Sequence, residues 1–379
     1  MKKIITIFFL LLLGTRMFAQ TTYNPIITAV PFLTIAPDSR SAGIGDAGVA
    51  TSPDIYSMHW NPAKFAFIDG NAGLGVSYIP WLRNLVSDIN MGYVTGYRRI
   101  DKRQVISVSI FYSSQGNVNF TDAFGNTQFV GYPSEFSVDA GYSRLFSDNF
   151  SGGIAFRFIH SNLTNGDYSS GYATKSGTAF ASDISGYYQN KIHLFDRDGQ
   201  LGIGFNFSNI GSKMNYTSSQ IPDFIPMNMR IGTSVTVNID RYNKITATLD
   251  LNKLLVPTPP IYSSTNQDSI IKGRDPNVSV PVAIFQSFFD APGGFKEELQ
   301  EISYSSGIEY WYNDQFAIRC GYFYENPSKG NRQYFTAGIG LRIKSYTIDF
   351  SYLMPTTQNN PLAHTMRFSV SFNFNSINK

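Results

Sequence analysis

The sequence predicts an all-β fold: a 14-stranded antiparallel transmembrane β-barrel with an N-terminal hatch, or plug, in its lumen. Fourteen segments alternate apolar and polar residues with period two, which is typical of strands with one apolar and one polar face. Short turns and longer loops alternate strictly between these segments, as they do in outer-membrane barrels. The chain also contains 31 Phe and 23 Tyr, while only 15% of its residues are charged.

Residues 1–19 are predicted to be a secretory signal peptide. Lys2 and Lys3 precede an apolar stretch at 4–13, and Ala19 offers a small residue for cleavage. This stretch is too short to span a bilayer as a helix. The segment holds three of the 30 basic residues and none of the 27 acidic ones, so the mature chain carries 27 of each. No basic excess remains that would indicate a nucleic-acid partner.

The next segment, 20–70, is predicted to be the hatch. It contains the glycine-rich run SRSAGIGDAGVATSPDIYSMHWNPA at 39–63. This run is not a nucleotide loop, because no strand of the βαβ type precedes it and no Lys-Ser/Thr pair follows it. Fourteen strands enclose more space than inward side chains fill, so a compact segment must occupy the lumen. The predicted hatch turn combines glycines that permit tight folding with an Asn-Pro-Ala turn towards the first strand: Gly43, Gly45, Gly48, Asn61, Pro62 and Ala63.

The barrel is predicted at 71–379. Its strand segments fall at 73–80, 86–100, 104–113, 134–146, 151–160, 179–192, 200–210, 227–239, 244–255, 302–312, 315–324, 333–344, 346–354 and 364–375. Because the number of strands is even, both ends of the barrel lie on the periplasmic side with the short turns.

The two faces of each strand are expected to meet different solvents. A bilayer supplies no hydrogen-bond partners, so the apolar, aromatic set should face lipid and the Gly, Ser and charged set the lumen. Equal numbers of acids and arginines in the lumen favour mutual, structural pairs over a ring of one sign that would select ions. The predicted lumen charges are Asp139, Arg157, Asp183, Arg230, Asp250, Glu309, Arg319, Arg342, Asp349 and Arg367.

The longest external loop, 256–300, is far longer than a barrel needs. Its VAIFQSFF run places Ile284 and Phe285 against Phe288 and Phe289 at helical spacing. An apolar segment outside the membrane needs a cover. The loop therefore either folds back over the barrel mouth as a lid or docks a protein partner.

Apolar side chains of this loop and of the short loop at 80–86 form the candidate partner-binding or cargo-binding surface. Its residues are Ile284, Phe285, Phe288, Phe289, Phe295 and Trp81. An alternative for Trp81 is a place in the aromatic belt at the membrane interface.

The sequence predicts no enzyme, no cofactor and no metal site. The four histidines are scattered without metal-ligand spacing, and no Gly-x-Ser-x-Gly motif is present. The single cysteine, Cys320, lies on the apolar side of a strand and can form no intrachain disulfide. The DRDG run at 196–199 lacks the Glu that a calcium loop requires, so it is predicted to be a β-turn.

A signal peptide, a glycine-rich segment ending in WNPA at 60–63 and fourteen strands together resemble the FadL-type outer-membrane proteins. The segment SAGIGDAGVATSPDIYSMHWNPAKFAF and the long loop most resemble the PorV family of that group. This resemblance implies an outer-membrane protein of the type IX secretion system that is not an enzyme. It also implies three partners: an SprA-type translocon barrel, a PorU-type sortase and the C-terminal signal domains of secreted cargo. Outer-membrane lipids and lipopolysaccharide would surround the barrel.

Two functions follow as hypotheses. The first is a carrier that binds the C-terminal signal domain of secreted cargo and brings it from the translocon to the attachment and sortase complex. The alternative is a FadL-like transporter of hydrophobic small molecules, such as long-chain fatty acids, which would require an apolar pocket in the lumen.

Overall fold

The structure is a computed structural model that describes residues 23–122, 124–164, 168–169, 172–217, 221–265, 269–358 and 360–374. The predicted signal peptide lies outside the described residues. Among the residues described, no helix is long and apolar enough to cross a membrane.

Fourteen antiparallel strands form one closed barrel, which confirms the predicted fold class. We number them β1 to β14 in chain order. They are Ala72–Pro80, Asn90–Arg99, Gln104–Ser114, Ser134–Leu145, Phe150–Asn162, Gly177–Leu194, Arg197–Gly211, Asn228–Asn238, Asn243–Leu254, Ser303–Tyr312, Phe316–Tyr324, Gln333–Ile343, Tyr346–Pro355 and Met366–Asn373. The barrel closes where β1 pairs with β14, with Gly73 opposite Asn373.

Side chains alternate across the barrel wall as the period-two pattern predicts. On β3, Val108 is 61% exposed, whereas its neighbours Ser107 and Ser109 are 3% and 2% exposed. The outward face is therefore apolar, as a membrane-spanning barrel requires, and this part of the inward face is polar.

One predicted turn is wrong. The hairpin of β6 and β7 turns at Phe195 and Asp196, whose φ angles are 52° and 56°, and not at 196–199. Both residues adopt the left-handed conformation that two-residue hairpin turns need. The polar residues after them continue the ladder, with Asp198 opposite His193.

The barrel has a long-loop end and a short-turn end. The longest loop, between β9 and β10, contains two helices, Val280–Gln286 and Phe295–Gln300, and a small hairpin of Ile261–Tyr262 with Ile270–Lys272. The loop between β3 and β4 contains the hairpin of Val118–Thr121 with Thr127–Gly131.

The segment before β1 lies inside the barrel. It is built from short helical turns: Pro31–Thr34, Ser39–Ala42, Ser57–Trp60 and Pro62–Phe67. Most of its residues from 29 to 68 are buried. It makes hydrogen bonds to inward side chains of many strands, so its position is set by the polar face of the barrel.

Candidate functional site

The glycine turn of the hatch packs directly against the backbone of the barrel wall. Gly45 has a φ of 75°, and its N–H donates to Thr336 Oγ1 at 2.9 Å. A Cβ atom on Gly45 would lie 2.6 Å from the carbonyl oxygen of Ser306. The wall offers a glycine at the same place: a Cβ on Gly321 would lie 2.2 Å from the backbone nitrogen of Gly45. Backbone therefore meets backbone here, and side chains have no room.

The Asn-Pro-Ala motif fixes the other end of the hatch. Asn61 caps the turn Pro62–Phe67 by accepting from Ala63 N, and it donates to Val49 O and Gly186 O at 2.9 and 3.0 Å. Pro62 thus begins a helical turn in addition to ending the preceding one, because its fixed φ suits the first position of a helix. Ser143 of the barrel donates to Pro62 O at 2.7 Å.

Two clusters of lumen charges consist of paired side chains. Arg157 contacts Asp139 at 2.7 Å and Asp183 at 3.3 Å. Arg319 contacts both Glu309 and Asp349 at 2.7 Å. All six side chains are buried, so each charge depends on its partners for stabilisation.

The other predicted lumen charges do not pair with one another but hold the hatch or line its cavity. Asp250 accepts from the N–H groups of Gly48 and Val49 at 2.7 and 2.9 Å. Arg230 donates to His59 O at 3.2 Å, and Arg367 donates to Ala36 O at 3.0 Å. Arg342 lies over the ring of Trp311. The composition of the lumen face could not indicate the contacts of Asp250, Arg230 and Arg367, because their partners are backbone groups of a segment that is distant in sequence.

The hatch contributes charges of its own that the sequence analysis missed. Arg40 forms ion pairs with Glu309 of β10 and with Asp54 of the hatch, both at 2.8 Å. Lys64 is fully buried and donates to Gly48 O at 2.8 Å. Asp38 accepts from Ser41 N and from the indole of Trp60. Of these contacts, only the capping role of Asp38 could have been inferred from the sequence, because Asp38 precedes a Ser-Arg-Ser run and Asp is a preferred helix N-cap.

The hatch separates two cavities of the lumen. One, of about 280 Å³, lies towards the long-loop end and is lined by Pro25 and Arg230 with Asp46 of the hatch. The other, of about 580 Å³, lies at the short-turn end and is lined by Lys344 with Asp54 of the hatch. The two cavities share no lining residue.

An apolar cluster fills the lumen at the long-loop end, where the sequence predicted a polar lumen throughout. Inward side chains such as Ile79, Phe111 and Ile159 pack there with Phe32 and Leu33 of the hatch. These side chains are nearly free of solvent contact. The inward face is apolar here because segments of the chain, and not water, fill this part of the barrel.

Trp81 packs inward against the same cluster. Its ring lies 6.0 Å from the guanidinium of Arg367, which points into the lumen. The structure therefore places Trp81 against the lumen cluster, as it does Ile284, and not in a lipid-facing belt.

The helix Val280–Gln286 covers the cluster with one face and exposes the other. Ala283 is fully buried and Ile284 packs against the cluster, whereas Phe285 is 71% exposed. The face that covers the cluster and the apolar face that remains exposed thus belong to one helix. The helix ends at Gln286, before Phe288, so the predicted helical register does not extend to the last two aromatics.

Several apolar side chains of this loop remain uncovered. We call them the apolar loop surface: Val282, Phe285, Phe288, Phe289, Phe295 and Leu299, with exposed fractions of 49%, 71%, 43%, 54%, 77% and 48%. Phe295 and Leu299 are four residues apart on the helix Phe295–Gln300 and lie on one face of it.

A buried ion network anchors this loop to the barrel. Lys253 of β9 contacts Glu301 at 2.6 Å and Glu298 at 3.1 Å. Lys329, from the loop between β11 and β12, contacts Glu301 at 3.0 Å and Glu297 at 2.6 Å. These pairs hold the helix Phe295–Gln300 in a fixed position.

The N-terminal segment joins this anchor. Asn24 donates from its side chain to Glu297 Oε1 at 3.0 Å and from its backbone to Ser328 O at 2.8 Å. Ala29 donates to Phe224 O in another long loop. From Asn24 the segment thus runs from the long loops down through the lumen to β1, which begins at the short-turn end.

The attachment of the long loop is expected to strengthen as the pH falls from 7 to 5. Burial, and then the nearby carboxylates Glu298 and Glu301, raise the pKa of Asp290 to about 6, although the Thr258 N–H bond opposes this shift. The folded state then binds a proton more tightly than the unfolded state, so stability falls as the pH rises through this range. The hydrogen-exchange protection of residues 280–300, corrected for the intrinsic pH dependence of amide exchange, should be greater at pH 5 than at pH 7, and Asp290→Asn should remove most of this difference. An unchanged pH dependence in Asp290→Asn would contradict the assignment.

The described residues include no group of three or more His, Cys, Asp or Glu side chains that could hold a metal ion. Cys320 is exposed on the outward face of β11.

Comparison with known proteins identifies a family and a fold. A family model described as "Type IX secretion system protein PorV" matches residues 18–261. No curated protein sequence gives a significant match. Two crystal structures of the Pseudomonas putida toluene transporter TodX are similar. One has 12% identity and a TM-score of 0.52, covering 93% of this chain and 100% of that one. The other has 12% identity and a TM-score of 0.50, with 90% and 98% covered.

A more distant neighbour is a FadL homologue from Pseudomonas aeruginosa, with 13% identity, a TM-score of 0.44 and coverage of 93% and 100%. At such low identities the TodX likenesses establish the barrel fold alone. The family match ends at residue 261, so the two helices of the longest loop lie beyond the matched residues.

Proposed function

Because this chain belongs to the PorV family and is an outer-membrane β-barrel component of the type IX secretion system, we propose that its long-loop end binds the C-terminal signal domain of secreted cargo. It receives the cargo from an SprA-type translocon barrel. It then carries the cargo to a PorU-type sortase at the cell surface. The barrel itself stays closed during this transfer.

The apolar loop surface is the observation that carries this proposal. Phe285, Phe289 and Phe295 leave more than half of their surface exposed outside the barrel wall, where lipid cannot cover them. Aromatic side chains presented on a fixed scaffold are the usual anchors of protein interfaces. The network around Glu301 fixes the scaffold, so little conformational entropy is lost on binding.

The filled lumen supports a carrier more than a transporter of hydrophobic molecules. The apolar part of the lumen is occupied by the chain's own side chains, including Phe32 and Phe111. The two lumen cavities on either side of the hatch carry many charged side chains, among them Arg230 and Glu309. The long apolar tail of a fatty acid would meet charged side chains in either cavity.

The proposal includes an orientation and a division of the chain. Residues 1–19 are a signal peptide that is removed on export, 20–70 form the hatch and 71–379 form the barrel. The long-loop end faces the cell exterior and the short-turn end the periplasm, as in other outer-membrane barrels.

Serine substitution of Phe285, Phe289 and Phe295 together is expected to weaken binding of a purified cargo C-terminal domain at least tenfold. Truncation of aromatic anchors commonly costs about 2 kcal/mol or more in binding free energy. The matched control is Phe124→Ser, which changes a 91% exposed aromatic residue in another long loop. Affinity is measured by titration in gentle detergent, and heat-resistant gel mobility checks that each barrel is folded.

The proposal fails if the folded triple variant binds cargo as tightly as the unchanged protein. Equal losses in the triple variant and in Phe124→Ser would also contradict it, because binding would then not depend on the apolar loop surface.

A further inference from the structure

The cavity at the short-turn end is rich in cationic side chains. Of the charged side chains that line it, five are basic and three are acidic. The basic ones are Arg40, Arg319 and Lys244 together with Arg342 and Lys344. This cavity lies below the hatch, on the opposite side from the long loops, and plays no part in the function proposed above.

Three of these cations converge on one aromatic ring. The charged groups of Arg342, Arg319 and Lys244 lie 4.6, 5.5 and 5.9 Å from the ring centre of Trp311. Each cation is attracted to the face of the indole ring, but cations gathered around one ring also repel one another. The arrangement leaves positive potential at the ring unless acids or a ligand neutralise it.

Two of the three acids that line the cavity, Glu309 and Asp54, are already engaged, and the third, Asp69, is exposed to solvent. Glu309 accepts from both Arg40 and Arg319, and Asp54 pairs with Arg40. Asp349 accepts from Nη1 of Arg319 at 2.7 Å. Beyond the cavity lining, Asp314 forms an ion pair with Lys244.

Three cationic groups of this cavity have no acidic partner among the residues that the structure describes: Nη2 of Arg319, Arg342 and Lys344. Nη2 of Arg319 is buried and has no hydrogen-bond partner in the part of the chain that the structure describes, although the Arg319 side chain is fully enclosed. Among the same residues, no ion pair is recorded for Arg342 or Lys344. A buried guanidinium nitrogen without an acceptor is costly, and an oxyanion is the acceptor that it prefers.

We propose that this cavity binds an oxyanion, a carboxylate or a phosphate group, that enters from the periplasmic side of the barrel. Arg342 and Nη2 of Arg319 donate hydrogen bonds to it, and Lys344 contributes charge at the entrance. The apolar face of Trp311 is then free to contact the organic part of the ligand. The volume of about 580 Å³ leaves room for such a part in addition to the anionic group.

The test is a calorimetric titration of the purified, folded barrel with three probes: inorganic phosphate, an acetylated tetraglutamate peptide and the matching tetraglutamine peptide. We expect binding of phosphate, of tetraglutamate or of both, and none of tetraglutamine. Phosphate alone would identify a phosphate as the ligand group, and tetraglutamate alone a carboxylate. Binding should weaken as the salt concentration rises, because the interaction is electrostatic.

Arg342→Gln should reduce the affinity for the bound anion about tenfold or more, since it removes a charged hydrogen-bond donor without disturbing a recorded ion pair. Arg103→Gln is the matched control, because Arg103 is an exposed arginine in a turn at the same end of the barrel. Failure of both anions to bind, or equal affinities in Arg342→Gln and Arg103→Gln, would overturn the proposal. Both variants retain the apolar loop surface, so this outcome is independent of cargo binding.

Discussion

Gly45→Val is expected to prevent the hatch from seating, so that the barrel loses its heat-resistant compact form. Gly45 has a φ of 75°, which costs a residue with a Cβ atom about 1–2 kcal/mol. The new side chain would also meet the carbonyl oxygen of Ser306 at 2.6 Å and the backbone nitrogen of Tyr322 at 2.7 Å. These atoms belong to two strands of the wall and cannot rotate away. Overpacking of this kind costs about 1–3 kcal/mol, so the total reaches several kcal/mol.

The control is Gly92→Val, because a Cβ atom on Gly92 would have nothing within 4 Å. Heat-resistant gel mobility and limited proteolysis of residues 39–63 measure the outcome. If Gly45→Val were as heat-stable and as protease-resistant as Gly92→Val, the hatch could not be packed against β10 and β11 as described.

Arg319→Met is expected to cost about 3–5 kcal/mol of unfolding free energy, because it leaves the buried carboxylate of Asp349 without its counter-charge and Glu309 with Arg40 alone. Arg319 is the recorded ion-pair partner of Asp349 and one of two for Glu309. Denaturant titration of the purified barrel measures the loss. Asp314→Asn provides the contrast, since its ion pair with Lys244 is largely exposed and should contribute about 0–1 kcal/mol.

A double variant separates lost pairing from lost packing. The double variant Arg319→Met with Asp349→Met no longer contains the uncompensated carboxylate of Asp349, and its Glu309 still pairs with Arg40. Part of the lost stability should therefore return. A double variant that is no more stable than Arg319→Met would show that shape, and not charge, dominates at this site.

The barrel was predictable because its signals are local. Strand boundaries differ from prediction by a few residues, as at β6, which runs from Gly177 to Leu194 where 179–192 was predicted. Alternation along a strand is imposed by lipid on one side and the lumen on the other, so each segment reveals its faces by itself. The hairpin at Phe195 departs from prediction because turn geometry, and not polarity, selects the turn residues.

The hatch contacts were not predictable from one sequence, since they join residues that are far apart in the chain. Arg40 and Glu309 are separated by 269 residues, and nothing near either one indicates the other. Asp250 and Arg367 bind backbone groups, which every residue provides, so their partners carry no residue-type signal. The apolar lining at Ile79 and Ile159 was missed because all inward-facing residues were expected to contact water. At the long-loop end they contact the chain's own N-terminal segment instead.

The exposed apolar loop surface was predicted in part. The exposed Phe285 and Phe295 lie in the segment that the sequence singled out, because an apolar run outside the membrane is itself unusual. The inward positions of Ile284 and Trp81 depend on the cluster beneath them, which only the fold assembles.

Site-specific photo-crosslinking in living cells tests the central claim most directly. A photoreactive amino acid replaces Phe285 on the apolar loop surface in one strain and Phe180 on the lipid-facing wall in another; these residues are 71% and 68% exposed. We predict that position 285 crosslinks to a cargo C-terminal domain or to a secretion partner, and that position 180 gives no such protein adduct. The absence of a protein adduct at 285 in cells that actively secrete cargo, or the same adducts at both positions, would contradict the claim.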